Sequence, residues 1–277
     1  MPELPEVEMV RRVLEGQLRG RTVERVRVLR PDVVARPDAD GLCRALRGVA
    51  IAGMGRRGKF LRMELADGGE LVLHLRMTGC LLLAPAALPP EPYTHLTLAL
   101  EGGDELRFSD MRRFGRVWLR RAGERDDFTG MARLGPEPFD AALTADYLRA
   151  RLERSRRSIK ACLMDQGVVA GIGNIYSDEI LFSARLNPAR PACSLRAEHW
   201  ELLARLIPER MAFFVEKNAI SPGEYLAGHG VDYRNTPYLN VYGHAGEPCP
   251  RCGARLERRV VGGRGSVHCP ACQPGED

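Results

Sequence analysis

The apolar positions at the start of the chain keep helical spacing: Val7, Val10, Leu14 and Leu18 recur three or four residues apart. This pattern predicts a helix from Pro5 that Gly16 and Gly20 close. Pro5 suits a first helical turn because its missing N–H would be unbonded there, and Glu6 and Glu8 suit the positive end of the helix dipole. A helix start leaves Pro2 and Glu3 unexplained. The period then changes to two. Residues 22–30 (TVERVRVLR) and 48–122 read as strands, with FLRMELADGGELVLHLRM and HLTLALEGGDELRFSDMRRFGRVWLR forming hairpins about their DGG and GGD turns. The proline-rich stretch APAALPPEPY (84–93) joins the hairpins as a loop, so an antiparallel sandwich or barrel is expected to end near residue 122.

LGPEPFD (134–140) reads as a linker, after which the period is helical. The expected helices are TADYLRARLERS, SIKACLMDQ, NIYSDEILFSA and SLRAEHWELLARLIPERMAFFVEKN, with Thr144 and Ser194 as N-caps. GVVAGIGN, between the second and third, has glycines for tight turns, and residues 221–245 read as a Gly/Pro/Tyr-rich connector. The expectation is an α+β chain of three blocks: residues 1–135, 136–245 and 246–277.

Composition narrows the class. Of 277 residues, 44% are hydrophobic and 28% charged, enough for a sizeable core and a soluble surface. No apolar run approaches the roughly 18 residues of a membrane helix. The amino terminus lacks the basic-then-apolar order of a secretory signal, which predicts a cytoplasmic protein without a membrane partner. Net charge is only +5, but six arginines in 107–121, six cations in 149–160 and five arginines in 249–272 each face a single acid. Such clustering is the footprint of a phosphate-binding surface. Among 41 basic residues only Lys59, Lys160 and Lys217 are lysine, which marks each for a role that arginine's rigid fork does not fill.

The tail carries candidate metal chemistry. Cys249, Cys252, Cys269 and Cys272 are spaced C-x2-C-x16-C-x2-C, within the window for a four-cysteine zinc site. The intervening residues fit a hairpin, and one Zn²⁺ per chain would supply folding energy that so small a module lacks. Two disulfides are the competing reading, disfavoured in a reducing compartment. Cys43, Cys80, Cys162 and Cys193 show no ligand spacing. Arg264 lies between glycines at the hairpin tip (GGRG), where it could grip phosphate.

PELPEVE at the start, RRGKFL (56–61), HLRMTG (74–79), DMRRFG (110–115), GIGNIY (171–176) and the cysteine tail together resemble the bacterial formamidopyrimidine-DNA glycosylases, in order and over essentially the whole chain. The resemblance implies an N-terminal β-sandwich, a helical domain with a helix–two-turn–helix motif, and a C-terminal zinc finger. It implies removal of 8-oxoguanine and ring-opened purines from double-stranded DNA, with cleavage at abasic sites by β,δ-elimination, by a monomer.

In that family Met1 is removed and the exposed nitrogen of the next proline is the nucleophile, here Pro2. A secondary amine attacking the sugar C1′ forms an iminium ion that acidifies the C2′ proton, so strand cleavage can follow. Glu3 matches the catalytic acid, and Glu6 would position the site. Lys59 and Arg264 match residues that hold phosphate at the lesion, and Lys160 and Asn174 match further phosphate ligands. Met77, Arg112 and Phe114 match the side chains that fill the gap left by a flipped nucleotide and hold the orphaned base. His74, in the same HLRM stretch, joins the DNA-side candidates, although its plainer reading is structural.

The match loosens at Arg76, where the family usually carries glycine, and over residues 221–240, the family's lesion-capping loop, to which no base contact is transferred. Two rivals stand beside this reading. One is an endonuclease VIII-type glycosylase for oxidised pyrimidines, against which PELPEVE argues. The other is a lesion-binding protein without catalysis, which would leave Pro2, Glu3 and Lys59 idle.

Overall fold

Helix α1 runs Leu4–Leu18 and passes through Gly16 to a C-cap at Arg19. One exposed glycine costs a helix only about 1 kcal/mol, and the buried stripe Val7, Val10, Leu14 and Leu18 outweighs it. The computed structural model to which this helix belongs describes residues 2–231 and 233–275; Met1, Asp232, Glu276 and Asp277 fall outside. The chain divides into two compact units, Met1–Ala132 with Asn218–Tyr233, and Arg133–Lys217 with Arg234–Asp277.

The first unit holds two sheets. One has the order β1 (Val23–Val28), β7 (Thr94–Leu100), β8 (Asp104–Asp110) and β6 (Gly79–Pro85). The other has the order β2 (Val34–Arg36), β9 (Arg116–Arg120), β5 (Glu70–His74), β4 (Phe60–Leu65) and β3 (Ile51–Arg57). Both hairpins expected at DGG and GGD are present, as β4–β5 and β7–β8. The edge pair β2–β9 is parallel, which alternation cannot reveal. Leucines and valines of both sheets, together with α1, form one core.

Helix α2 (Ala39–Leu46) is an addition to the expected elements. Asp38 caps it by accepting the Gly41 N–H at 2.6 Å, and Leu42 and Leu46 enter the core. The expected connector after residue 220 also contains a helix, α7 (Pro222–Ala227). Its signals are local: Ser221 at the cap, Pro222 behind it and Glu224 completing a capping box. Tyr225 then anchors this segment within the first unit, its buried hydroxyl donating to the Leu81 carbonyl at 3.0 Å.

The proline-rich loop after β6 is held by Arg107, which is 0% exposed on β8. Its guanidinium donates to the carbonyls of Pro85, Leu88 and Pro89. Arg107 therefore leaves the arginine cluster read as a phosphate surface. Arg120 leaves it too, paired with Glu70 at 2.8 Å. Arg112, Arg113 and Arg121 are the exposed members.

In the second unit Thr144 caps α3 (Ala145–Leu152) as expected. Helix α4 (Ile159–Leu163) and α5 (Asn174–Ser183) are joined by turns that Gln166 ties down, accepting the Gly171 N–H at 2.9 Å and donating to the Ile172 carbonyl at 2.7 Å. The long helix α6 begins at Ala197 and ends at Lys217, so Ser194 is not its N-cap. Ser194 instead ends a short 3-10 turn and donates to the Pro191 carbonyl. Strands β10 (Glu257–Val261) and β11 (Arg264–His268) complete the unit as the expected hairpin. Among the described residues no helix is long and apolar enough to cross a membrane.

Candidate functional site

Pro2 is buried immediately ahead of α1, and Glu3 is the helix N-cap. Glu3 and Glu6 form a capping box in which the Glu3 N–H donates to Glu6 Oε2 at 2.7 Å. Pro2 thereby adjoins a fixed helix end, and both carboxylates lie where the dipole is positive. Met1, whose removal the resemblance implies, lies outside the described residues.

A pairing that sequence reasoning did not anticipate, Glu8 with Arg56, locks this helix to the sheet. Burial alone would raise the Glu8 carboxyl, yet hydrogen bonds from Arg11 and Arg12 and the nearby Arg56 charge bring it down to about 2. Arg56, on β3, reaches Glu8 Oε2 at 3.1 Å and also donates to the Gly58 carbonyl at 3.0 Å. Gly58 and Lys59 make the two-residue turn between β3 and β4. The Glu8–Arg56 pair thus links the start of α1 to the turn that carries Lys59, whose side chain is largely buried.

His74 ends β5, edge-on to Phe60 with ring centroids 4.6 Å apart. Burial, with the Arg76 and Lys59 cations adding, pushes its imidazole down to about 3, so it is neutral at physiological pH. Nδ1 accepts the Arg76 N–H at 3.0 Å. The imidazole thus supports the turn that follows from a buried position.

In that turn Arg76 has φ +56°, the left-handed region that favours glycine and costs other residues roughly 1–2 kcal/mol. This gives the physical reason for glycine at the position, and Arg76→Gly should stabilise the protein by about 1 kcal/mol. A rise in urea midpoint at constant m-value would register it. Gly79 closes the turn where a Cβ would lie 2.3 Å from the Leu75 carbonyl oxygen.

The structure brings Met77, Arg112 and Phe114 together. All three are exposed, Arg112 Nη1 lies 3.1 Å from Met77 Sδ, and the guanidinium sits 4.8 Å from the centre of the Phe114 ring. Exposed Met and Phe braced by an Arg form a protruding apolar tip with a hydrogen-bonding edge, suited to entering a base stack.

In the second unit Asn174 opens α5, and its Oδ1 has no partner among the described residues. Lys160, which the resemblance matched to a phosphate ligand, is 0% exposed. Its ammonium lies 2.7 Å from Asp178 Oδ1 and 3.4 Å from the Gly265 carbonyl oxygen. Asp178 also accepts from the Ser266 hydroxyl and the Val267 N–H, so it fastens α4 and α5 to β11. Burial pushes the Asp178 carboxyl above its ordinary value against the pull of Lys160.

Arg264 is exposed directly after the β10–β11 turn. Gly262 and Gly263 form that two-residue turn with φ +57° and +75°, the signs a type I′ hairpin turn requires. A Cβ on Gly262 would lie 3.0 Å from Ala161 Cβ, so the tip lies close against α4.

The four tail cysteines have their sulfurs within 4.8 Å of one another, with Cys252 and Cys269 at 3.5 Å. Sulfurs bound about 2.3 Å from one zinc ion lie roughly 3.8 Å apart, so the cluster fits a tetrahedral site. The Arg251 N–H points at Cys249 Sγ and the Cys272 N–H at Cys269 Sγ, donors suited to thiolates. The Ala254 backbone and the neighbouring thiols bring Cys252 down to about 7, whereas desolvation and those same thiols push Cys272 up to about 12. Ionising all four needs a cation, and a structural zinc supplies it.

Comparison with known proteins agrees with this arrangement. Residues 1–117 match the formamidopyrimidine-DNA glycosylase N-terminal domain, 134–223 its H2TH domain, and 246–275 a zinc finger found in FPG and IleRS. The formamidopyrimidine-DNA glycosylase of Moorella thermoacetica is 46% identical over 258 residues, 93% of this chain and 94% of that protein. The Lactococcus lactis Fpg in complex with abasic-site DNA superposes with a TM-score of 0.90 at 33% identity, over 99% of this chain and all of that one. The same enzyme with FAPY-dG DNA gives 0.90 at 35% identity, with the same coverage. From the buried proline ahead of its first helix to its four-cysteine hairpin, the chain belongs to the formamidopyrimidine-DNA glycosylase family.

Proposed function

We propose that this protein excises oxidised purines, 8-oxoguanine and formamidopyrimidines, from double-stranded DNA and then cuts the strand at the abasic site. The observation that carries the chemistry is Pro2 held directly ahead of the Glu3–Glu6 capping box. Once Met1 is gone, the Pro2 amine attacks C1′, the bond to the base breaks and the base leaves with the proton the amine gives up. Glu3, in its acid form, then protonates the opening sugar oxygen as the C1′–O bond breaks. The resulting iminium ion makes the C2′ proton acidic. Its removal expels the 3′ phosphate, and a second elimination expels the 5′ phosphate.

The other residues take binding roles. Lys59, Asn174 and Arg264 contact phosphates, and Met77, Arg112 and Phe114 enter the gap beside the flipped nucleotide. Lys160 supports the hairpin bearing Arg264 through Asp178. The protein works as a monomer on chromosomal DNA in the bacterial cytoplasm.

Borohydride added during turnover on an 8-oxoguanine duplex should reduce the iminium to a stable amine. The expected product is a protein–DNA adduct whose mass maps to Pro2. A mature chain that gives no adduct on either 8-oxoguanine or abasic DNA overturns the proposal.

A further inference from the structure

Asp110 ends β8 and is 1% exposed, yet it pairs with no cation among the described residues. An unpaired buried carboxylate is costly unless hydrogen bonds satisfy it. Here they all come from two turns. Oδ1 accepts from the Thr78 hydroxyl and from the Arg112 N–H, the latter at 3.2 Å. Oδ2 accepts the Gly115 N–H at 2.7 Å. The Arg112 N–H also reaches Thr78 Oγ1 at 3.1 Å. The backbone of Asp110 is equally engaged: its carbonyl accepts from His95 Nε2 at 2.7 Å, and its N–H donates to the Tyr93 carbonyl at 3.1 Å.

One of these turns carries Met77 and the other carries Arg112 and Phe114. The carboxylate therefore holds the Arg112–Phe114 turn at Arg112 and Gly115 and, through Thr78, the residue that follows Met77, and Thr78 bridges the turns. We infer that Asp110, with Thr78, is a positioning residue that joins the two turns into one preassembled wedge. The cost of ordering three flexible side chains is then met on folding and not at the moment of DNA opening. This inference rests on the function proposed above.

Two substrates separate it from a merely structural role. An 8-oxoguanine·C duplex requires helix opening; an abasic site in a single strand has no partner base to displace. Thr78→Val removes the hydroxyl at nearly constant volume, and Asp110→Asn turns an amide N–H toward a backbone donor. Each should lower kcat/KM on the duplex by about tenfold or more, the scale of a small misplacement. Activity on single-stranded abasic DNA should change less than about twofold, and Thr78→Ser should match the native protein on both.

Equal losses on both substrates, an unimpaired duplex reaction, or a serine variant as poor as valine would overturn the inference. Should Asp110→Asn fail to fold, Thr78→Val and Thr78→Ser decide it alone. A native protein that cuts neither substrate overturns the functional reading itself, a result distinct from any variant effect.

Discussion

A chain that retains Met1 should bind abasic-site DNA and cut nothing. Acylation by Met1 turns the Pro2 nitrogen from a secondary amine into an amide, whose lone pair is delocalised into the carbonyl. No iminium can then form. The helix does not depend on that amine: its first turn is closed by the Val7 N–H to the Glu3 carbonyl at 3.0 Å and by the Glu3–Glu6 capping box. Strand cleavage should fall by at least about 10³-fold, the scale on which loss of a nucleophile is felt. Affinity for an uncleavable abasic analogue should stay within a few-fold. Intact mass identifies the amino terminus, and trapping and product gels on the same preparation read the chemistry. Undiminished trapping with Met1 in place would exclude Pro2 as the nucleophile.

The second large effect concerns stability. Asp178→Ala removes the carboxylate that pairs with a fully buried ammonium, a change that costs about 3–5 kcal/mol when one member of a buried pair is lost. The Ser266 hydroxyl and Val267 N–H lose their acceptor as well. Urea unfolding should show a large fall in midpoint, and the hairpin should lose protection in hydrogen exchange before the rest of the second unit. Replacing both partners, Lys160→Met with Asp178→Leu, should recover only part of the loss. The ion pair is then gone, but the two β11 donors remain unsatisfied. Full recovery would mean that Asp178 serves Lys160 alone.

These two residues also mark the limit of what the chain reveals by inspection. Elements written in nearby residues were legible: the DGG and GGD hairpins, the Thr144 cap, the cysteine spacing and the glycine turn before Arg264. Helices α2 and α7 escaped because each is short and its helical period covers barely two turns, although Asp38 and the Ser221–Glu224 box announce them. Burial of individual cations was not legible at all. Lys160 reads as a phosphate ligand, and nothing near it in sequence announces Asp178, 18 residues on, or Gly265, 105 residues on. Arg107 reads as part of a basic patch until the loop carbonyls of 85–89 fold over it. Distance in sequence also hid the Asp110–Thr78 contact and the Glu8–Arg56 link. Chemistry borne by one residue type at one spacing can be read from a sequence; a partner supplied by the fold cannot.

The return of residues 218–233 to the first unit bears on how the protein is made. When the ribosome has finished residue 132, both sheets exist, but the strand that carries Cys80 and Leu81 still lacks Tyr225 and the residues around Gly230. At about 5–20 residues per second, the roughly 100 intervening residues take some 5–20 s to emerge. For that interval the β6 residues that Tyr225 and Gly230 contact in the folded chain lack those partners. Completion of the first unit is thereby tied to synthesis of most of the second.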